Sequence, residues 1–222
     1  YGINIERFDE KMKLEQNRRL VTYYSLLTQM RVNGGNDYIN LVNSILSGKC
    51  NQQACLENYD FKVMSDFNRF NNLQQKLEDE FTLSRMIAGY AWEWKSKKDK
   101  SLYDMELDGV KKQWNYRLEN WVLSEGADKQ VGCIHTIQGF DLNYGFVIMG
   151  NEIGYDPESK EIIVRPENYY DQNGRKTASK EELLEYIKHI YYVLMTRGIK
   201  GTYLYICDDN LRKYVSSIIG EI

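Results

Sequence analysis

Histidine is nearly missing from this sequence: 222 residues carry two, His135 and His189. Cysteine is scarce too, with four. Cys50 and Cys55 stand C-x4-C apart, with no second close pair and no histidine beside them, so they form no zinc pattern. All four read as reduced thiols of a cytoplasmic protein. No apolar run reaches the roughly 18 residues of a membrane span, and no segment is built like a signal peptide, so no membrane partner is expected. An excess of one charge is also lacking: 29 Lys+Arg against 32 Asp+Glu leave a net −3. That balance does not mark a nucleic-acid binder, yet a local basic stripe can sit on an acidic protein. There is no G-x-S-x-G elbow and no G-x-x-x-x-G-K-[ST] phosphate loop, so the chain has no phosphate cradle of its own. No clustered acidic metal site of the kind a nuclease needs is found.

What is present reads as ordinary and globular, at 42% hydrophobic and 27% charged residues. A chain of this length buries a sizeable core without staples. It starts at Tyr1 rather than methionine, and its first residues have no leader or tag character. They read as a cut into a longer sequence.

Apolar residues recur at helical spacing in "ERFDEKMKLEQNRRLVTYYSLLTQM", which predicts a helix ending near Met30. A Gly-Gly turn follows, then a short helix with Asn36 or Asp37 as N-cap. "DFKVM" predicts a strand, and "SDFNRFNNLQQKLEDEF" an amphipathic helix capped by Ser65. "SRMIAGYAWEW" reads as a buried strand, and residues 95–114 as a hairpin or exposed insertion. "VGCIH" is a strand ending at a polar loop, and "GFVIMG" a central strand. "GYDPESKEIIVRP" reads as a turn and a strand. Ser179 and Glu182 form a capping box before the long helix "KEELLEYIKHIYYVLMTR". "GTYLYICDD" and "NLRKYVSSIIGEI" close the chain as strand and helix. Short apolar strands without period-two patterning, alternating with helices, predict an α/β fold: a mostly parallel sheet with helices on both faces.

Three places can carry chemistry. "CIHTIQGFDL", residues 133–142, packs His135, Thr136, Gln138, Gly139 and Asp141 together. A glycine at a strand exit lets backbone approach a ligand, and an acid just after it can accept from a ribose hydroxyl. Because this loop follows a strand, it is placed at the carboxyl edge of the sheet. Arg197, at a helix end beside Gly198, either caps helix carbonyls or reaches solvent, or its planar fork binds a phosphate. Arg31, between a helix and a glycine turn, reads locally as a surface arginine. His189 reads as structural, and His135 has no partner at zinc spacing. The basic run 95–100 reads as a solvated loop, with nucleic-acid contact as its other reading.

Taken in order, "QMR" (Gln29 to Arg31), "CIHTIQGFDL" and "VLMTRG" (Val193 to Gly198) resemble three motifs of the second RecA-like domain of superfamily 1 helicases: Q-x-R, T-x-H-x-x-K-G-x-E-F and V-x-M/L-T-R-A. The segments are similar above all to a bacterial family of uncharacterised ATPases or DNA/RNA helicases related to the Schlafen-type helicase domain. Near-identical "GCIHTIQGFDLNY" and "YYVLLTRGIKGTY" stretches occur there, and the resemblance covers nearly the whole chain. Departures from the helicase pattern are Cys133 for threonine, Gln138 for lysine, Asp141 for glutamate and Gly198 for alanine.

The resemblance implies a RecA-like fold of the P-loop NTPase type, serving as the second motor domain with β-hairpin insertions. It implies that residues 1–222 form a single C-terminal domain, with a first RecA-like domain carrying the Walker motifs upstream. Arg197 and Arg31 would be the catalytic arginines reaching the ATP γ-phosphate, with Gln29, Gly139, Asp141 and Thr196 at the nucleotide. His135, Thr136 and Gln138 would face a single strand of DNA or RNA. ATP and Mg2+ would be bound by the whole protein and by this chain alone not at all. The alternative is a degenerate RecA-like module that binds nucleic acid or regulates without ATP turnover. The insertions 92–114 and 155–176 lie outside the helicase core.

Overall fold

The strands lacking period-two patterning assemble as that pattern predicts, buried on both faces of a parallel sheet. The computed structural model describes residues 30–117, 119–171, 175 and 178–222. In it, β1 (Asp60–Met64), β2 (Ser84–Ala88), β5 (Val131–Gly132), β6 (Leu142–Met149) and β9 (Gly198–Ile206) lie in the order β1-β9-β6-β2-β5. Every neighbouring pair is parallel. The helices are α1 (Gly35–Leu46), α2 (Phe67–Phe81), α3 (Lys180–Met195) and α4 (Asp209–Ile219). The helix expected to end near Met30, and Gln29 with it, lie outside the described residues.

Successive strand residues point to opposite faces, which divides the core in two. Ile87, Val147 and Leu204 pack with α1, α3 and α4 through Tyr38, Ile187 and Val215. Met86, Phe146 and Tyr203 pack on the other face with Phe67 and Phe70 of α2 and with Trp114. Phe146 stacks on Tyr203 and meets Phe70 edge-on, each at 5.0 Å between ring centroids. Each such buried side chain contributes about 1.5–3 kcal/mol of apolar transfer. Arg85 of β2 is buried; it donates to Val122 O at 3.1 and 3.0 Å and pairs with Glu78 at 2.6 Å. That tie fastens α2 to the 3-10 turn Trp121–Leu123.

Two antiparallel hairpins interrupt this core. The first pairs β3 (Met105–Leu107) with β4 (Val110–Lys112). One buried carboxylate orders its base: Asp104 accepts from Ser96 N at 2.8 Å, Ser96 Oγ at 2.7 Å and Trp114 N at 2.7 Å. The second pairs β7 (Ile153–Asp156) with β8 (Glu161–Val164), where the sequence had pointed to a turn and one strand. Ile153 and Tyr155 pair with the later strand, and that partnership is not visible locally.

Several boundaries move from their expected places. Asp66, not Ser65, caps α2, accepting from Arg69 N at 3.0 Å. Gly34 is the N-cap of α1, so Asn36 and Asp37 fall inside the first turn, where an acid faces the positive helix end. β5 stops at Gly132 rather than near Ile134, because Thr136 N and Ile137 N both turn back onto Cys133 O, at 3.1 and 3.3 Å. The Ser179–Glu182 capping box forms as expected, with reciprocal bonds of 2.8 and 3.2 Å.

Gly132 is required by crowding: a Cβ there would sit 2.3 Å from Trp121 Cζ3, on a fully buried indole. Gly132→Ala should cost about 1–3 kcal/mol, the usual range for overpacking. Urea denaturation of wild type and variant checks it, and an unchanged midpoint would contradict the packing described.

Candidate functional site

β5 and β6 are parallel and β2 lies between them. The connection 133–141 must therefore travel from the carboxyl end of β5 back to the amino end of β6. This corrects the expectation that the whole loop lies at the carboxyl edge. His135 stays near that edge, exposed, with its ring 6.1 Å from that of Tyr90, just past the end of β2. Gly139 and Asp141 emerge at the opposite, amino edge.

There the backbone brings two distant segments together. Leu142 N donates to Arg197 O at 3.0 Å, which seats the starts of β6 and β9 side by side. Asp141 and Arg197 become neighbours as a result. Arg197 Nη1 reaches Phe140 O at 3.5 Å. Its buried Nε has no hydrogen-bond partner among the described residues. The third segment arrives through Asn33 N, which donates to Ile199 O at 2.9 Å. It carries Arg31, whose Nη2 donates to Thr196 O and whose Nε lies 3.5 Å from Asp141 Oδ1. Partial burial, then the charge of Arg31, lower the Arg197 pKa from its ordinary value, while Asp141 opposes them.

The end of α3 anchors this cluster. Thr196 Oγ1 donates to Tyr192 O at 2.9 Å, and Met195 O accepts from Tyr38 Oη at 2.6 Å and Thr202 Oγ1 at 2.9 Å. The last helical carbonyls, normally orphaned, are thus held by side chains, and Arg31 adds a cation at the negative helix end. Gly139 has φ +84°, and nothing lies within 4 Å of an added Cβ. Its glycine answers to backbone conformation in open space rather than to crowding.

The structure therefore gathers Arg31, Asp141, Thr196 and Arg197, with Gly139 two residues from Asp141. His135 stands apart toward the other edge. Thr136 is buried, with its hydroxyl turned into its own loop: Oγ1 accepts from Cys133 N at 2.8 Å and donates to Cys133 O at 3.0 Å. Gln138 is exposed between the two groups, and His189 is exposed on α3 rather than set in the core. No group of three or more His, Cys, Asp or Glu able to hold a metal ion occurs among the described residues. No helix among them is long and apolar enough to cross a membrane.

Two guanidiniums and one acid thus stand together at the junction of two parallel strands and a helix end, and planar forks of this kind can pair with anionic oxygens. Residues 3–208 match the Schlafen group 3 DNA/RNA helicase domain family. The chain belongs to that family. It is also 31% identical over 215 residues, 86% of this chain, to an uncharacterised protein of Saccharomyces cerevisiae, YPL245W. It spans about half, 47%, of that relative's length. No solved structure matches it.

One residue of the helicase domain carries no sequence signal at all. Glu152, two residues past Gly150 at the carboxyl ends of the strands, is fully buried. Tyr191 Oη donates to its Oε1, and its Oε2 has no hydrogen-bond partner among the described residues. Burial raises its pKa to about 7, against the opposing bond from Tyr191.

Two outcomes follow. The Arg31–Asp141 pair is 34% and 44% exposed, so Asp141→Asn should shift stability by no more than about 0.5 kcal/mol; thermal unfolding checks it, and a larger loss would make Asp141 a structural residue. Glu152 holds its proton to higher pH folded than unfolded, so unfolding releases it between pH 4.5 and about 7. Stability should therefore fall as pH rises through that window, by on the order of 3 kcal/mol from this group. Glu152→Gln should flatten the fall in a urea series across pH, and an unaltered profile would count against the raised pKa.

Proposed function

We propose that this chain is the C-terminal RecA-like half of a nucleic-acid-dependent ATPase of the superfamily 1 helicase type. It supplies arginines to an ATP site completed by an upstream domain of the same protein. The observation that carries this reading is the convergence of Arg31 and Arg197 beside Asp141, with a buried Arg197 Nε left for a ligand. A half-buried cation with an unspent donor is costly unless an anion uses it. Membership in a DNA/RNA helicase domain family supplies the class.

In this reading Arg197 acts as an arginine finger. Its planar fork stabilises charge spread over the oxygens of the transferring phosphoryl group. Arg31 lends a second guanidinium to the same oxygens, and Thr196 holds the helix end that positions both. Asp141 aligns Arg31 and accepts from the ribose, and Gly139 opens the backbone toward the phosphates. Gln29 completes the set by its place in the motif. The arginines suit a triphosphate, whereas these residues offer no carboxylate cluster for Mg2+, which falls to the upstream domain. His135 and Gln138 lie on the same loop toward the nucleic-acid strand, so strand contact at one end shifts the nucleotide residues at the other.

A second reading, a binding or regulatory module without turnover, draws on Thr136. Its hydroxyl is spent inside the loop, which leaves less of the loop for a strand. Turnover and strand binding separate the two. In the whole protein, Arg197→Ala should lower ATP turnover by roughly 10³-fold or more, and Arg197→Lys should not restore it, because an ammonium lacks the fork. Near-normal ATPase in Arg197→Ala would reject the motor as proposed, whereas single-strand binding that is unchanged by ATP and keeps its affinity after Arg31→Ala would favour the module.

A further inference from the structure

The strongest feature outside the motor motifs is a groove on the insertion that the helicase core does not explain. It runs between α2, the β3–β4 hairpin and the 3-10 turn Ala127–Lys129, and encloses about 530 Å³. Lys111, Lys112 and Lys129 line it, with Tyr103, Gln113 and Gln130, and no carboxylate is part of its wall. On a chain of net charge −3 this is a concentrated positive surface. The basic run 95–100 adjoins it, since Gln113 Nε2 donates to Lys100 O at 2.6 Å and Leu102 O at 3.1 Å.

Three features of the wall point to a ligand. Lys112 is 7% exposed, and its ammonium makes no hydrogen bond among the described residues. Burial lowers its pKa, and Asp128 is the acid that acts on it. Asn71 Oδ1, also on the wall, is buried without a hydrogen-bond partner. Tyr103, also on the wall, is 53% exposed, a large ring open to solvent. Two acids stand nearby: Asp128 acts on Lys112, and Glu106 meets Lys111 at 3.8 Å with both side chains more than half exposed. The amides are half spent, since Gln130 Oε1 accepts from Trp121 Nε1 at 2.9 Å and its amino end stays available.

We propose that this groove binds single-stranded nucleic acid, with the three lysines on the phosphate backbone, Tyr103 stacked on a base and the amides at base edges. Cations tracking a backbone beside an exposed aromatic ring are the elements of sequence-tolerant strand binding. A bare phosphate ligand would use the lysines but leave the ring and amides without purpose. The inference rests on the nucleic-acid half of the motor reading and extends it to a second contact, on the insertion.

The test uses the whole protein and fluorescein-labelled oligo(dT) and oligo(U), followed by anisotropy across a salt series. Lys111→Gln/Lys129→Gln changes two exposed side chains, so folding is preserved. The slope of log K against log salt should become shallower by about 1.4, at roughly 0.7 per single-strand phosphate contact. Tyr103→Ala should weaken binding about tenfold with the slope unchanged. A wild-type slope in the double variant, or full affinity in Tyr103→Ala, overturns the groove proposal and leaves the motor reading standing. If the wild-type protein binds neither oligonucleotide, this proposal falls together with the nucleic-acid part of the motor reading, while the Arg197→Ala turnover still decides the ATPase part.

Discussion

The hydrogen bond from Leu142 N to Arg197 O, 3.0 Å long, is the contact on which the candidate site depends. It registers the amino ends of β6 and β9, the two central strands, and so sets Asp141 against Arg197. Neither side chain needs to find the other. Their separation follows from the parallel ladder, in which Leu142 pairs with Gly198. Arg31 is delivered to the same point by a second backbone bond, Asn33 N to Ile199 O at 2.9 Å. Backbone register is rigid, so three side chains from distant parts of the chain meet without long loops of their own.

The same parallel topology gives the 133–141 connection its reach. A link between parallel strands has to cross the sheet from one edge to the other. One short loop thereby carries His135 toward the carboxyl edge, near Tyr90, and Asp141 at the amino edge. In the proposed motor this is the physical route between a strand and a nucleotide. Thr136, buried and bonded to Cys133, makes the start of that route a fixed turn. Gly139, with its positive φ in open space, makes the far end a place where backbone can come close to a ligand.

Much of the fold was legible because burial on both faces writes a distinctive pattern. "GFVIMG" and "GTYLYI" have no alternation, and both are central strands. The capping box at Ser179 and Glu182 was legible for a similar reason, since all its partners lie within one turn. Caps were misplaced by two to three residues at α1, where Gly34 caps with no side-chain bond, and by one at α2, where Ser65 and Asp66 both offer an oxygen and backbone geometry chooses Asp66. The β7 strand was missed because its partner β8 lies across a turn. Glu152 was illegible altogether: nothing in its neighbours says that Tyr191 of α3 will meet its buried carboxyl.

By itself the sequence determined the alternation of helices and buried strands, the absence of a phosphate-loop motif, and, through its motif resemblance, the candidate site residues. These are local or ordered properties of the chain, and hydrophobic pattern and residue identity suffice for them. Tertiary structure decided which edge of the sheet carries Asp141, that Arg31 and Arg197 share it, that Thr136 turns inward, and that lysines from the hairpin and from the turn at 129 line one groove. Those outcomes depend on strand order and register, which long-range pairing sets and no short stretch of sequence contains.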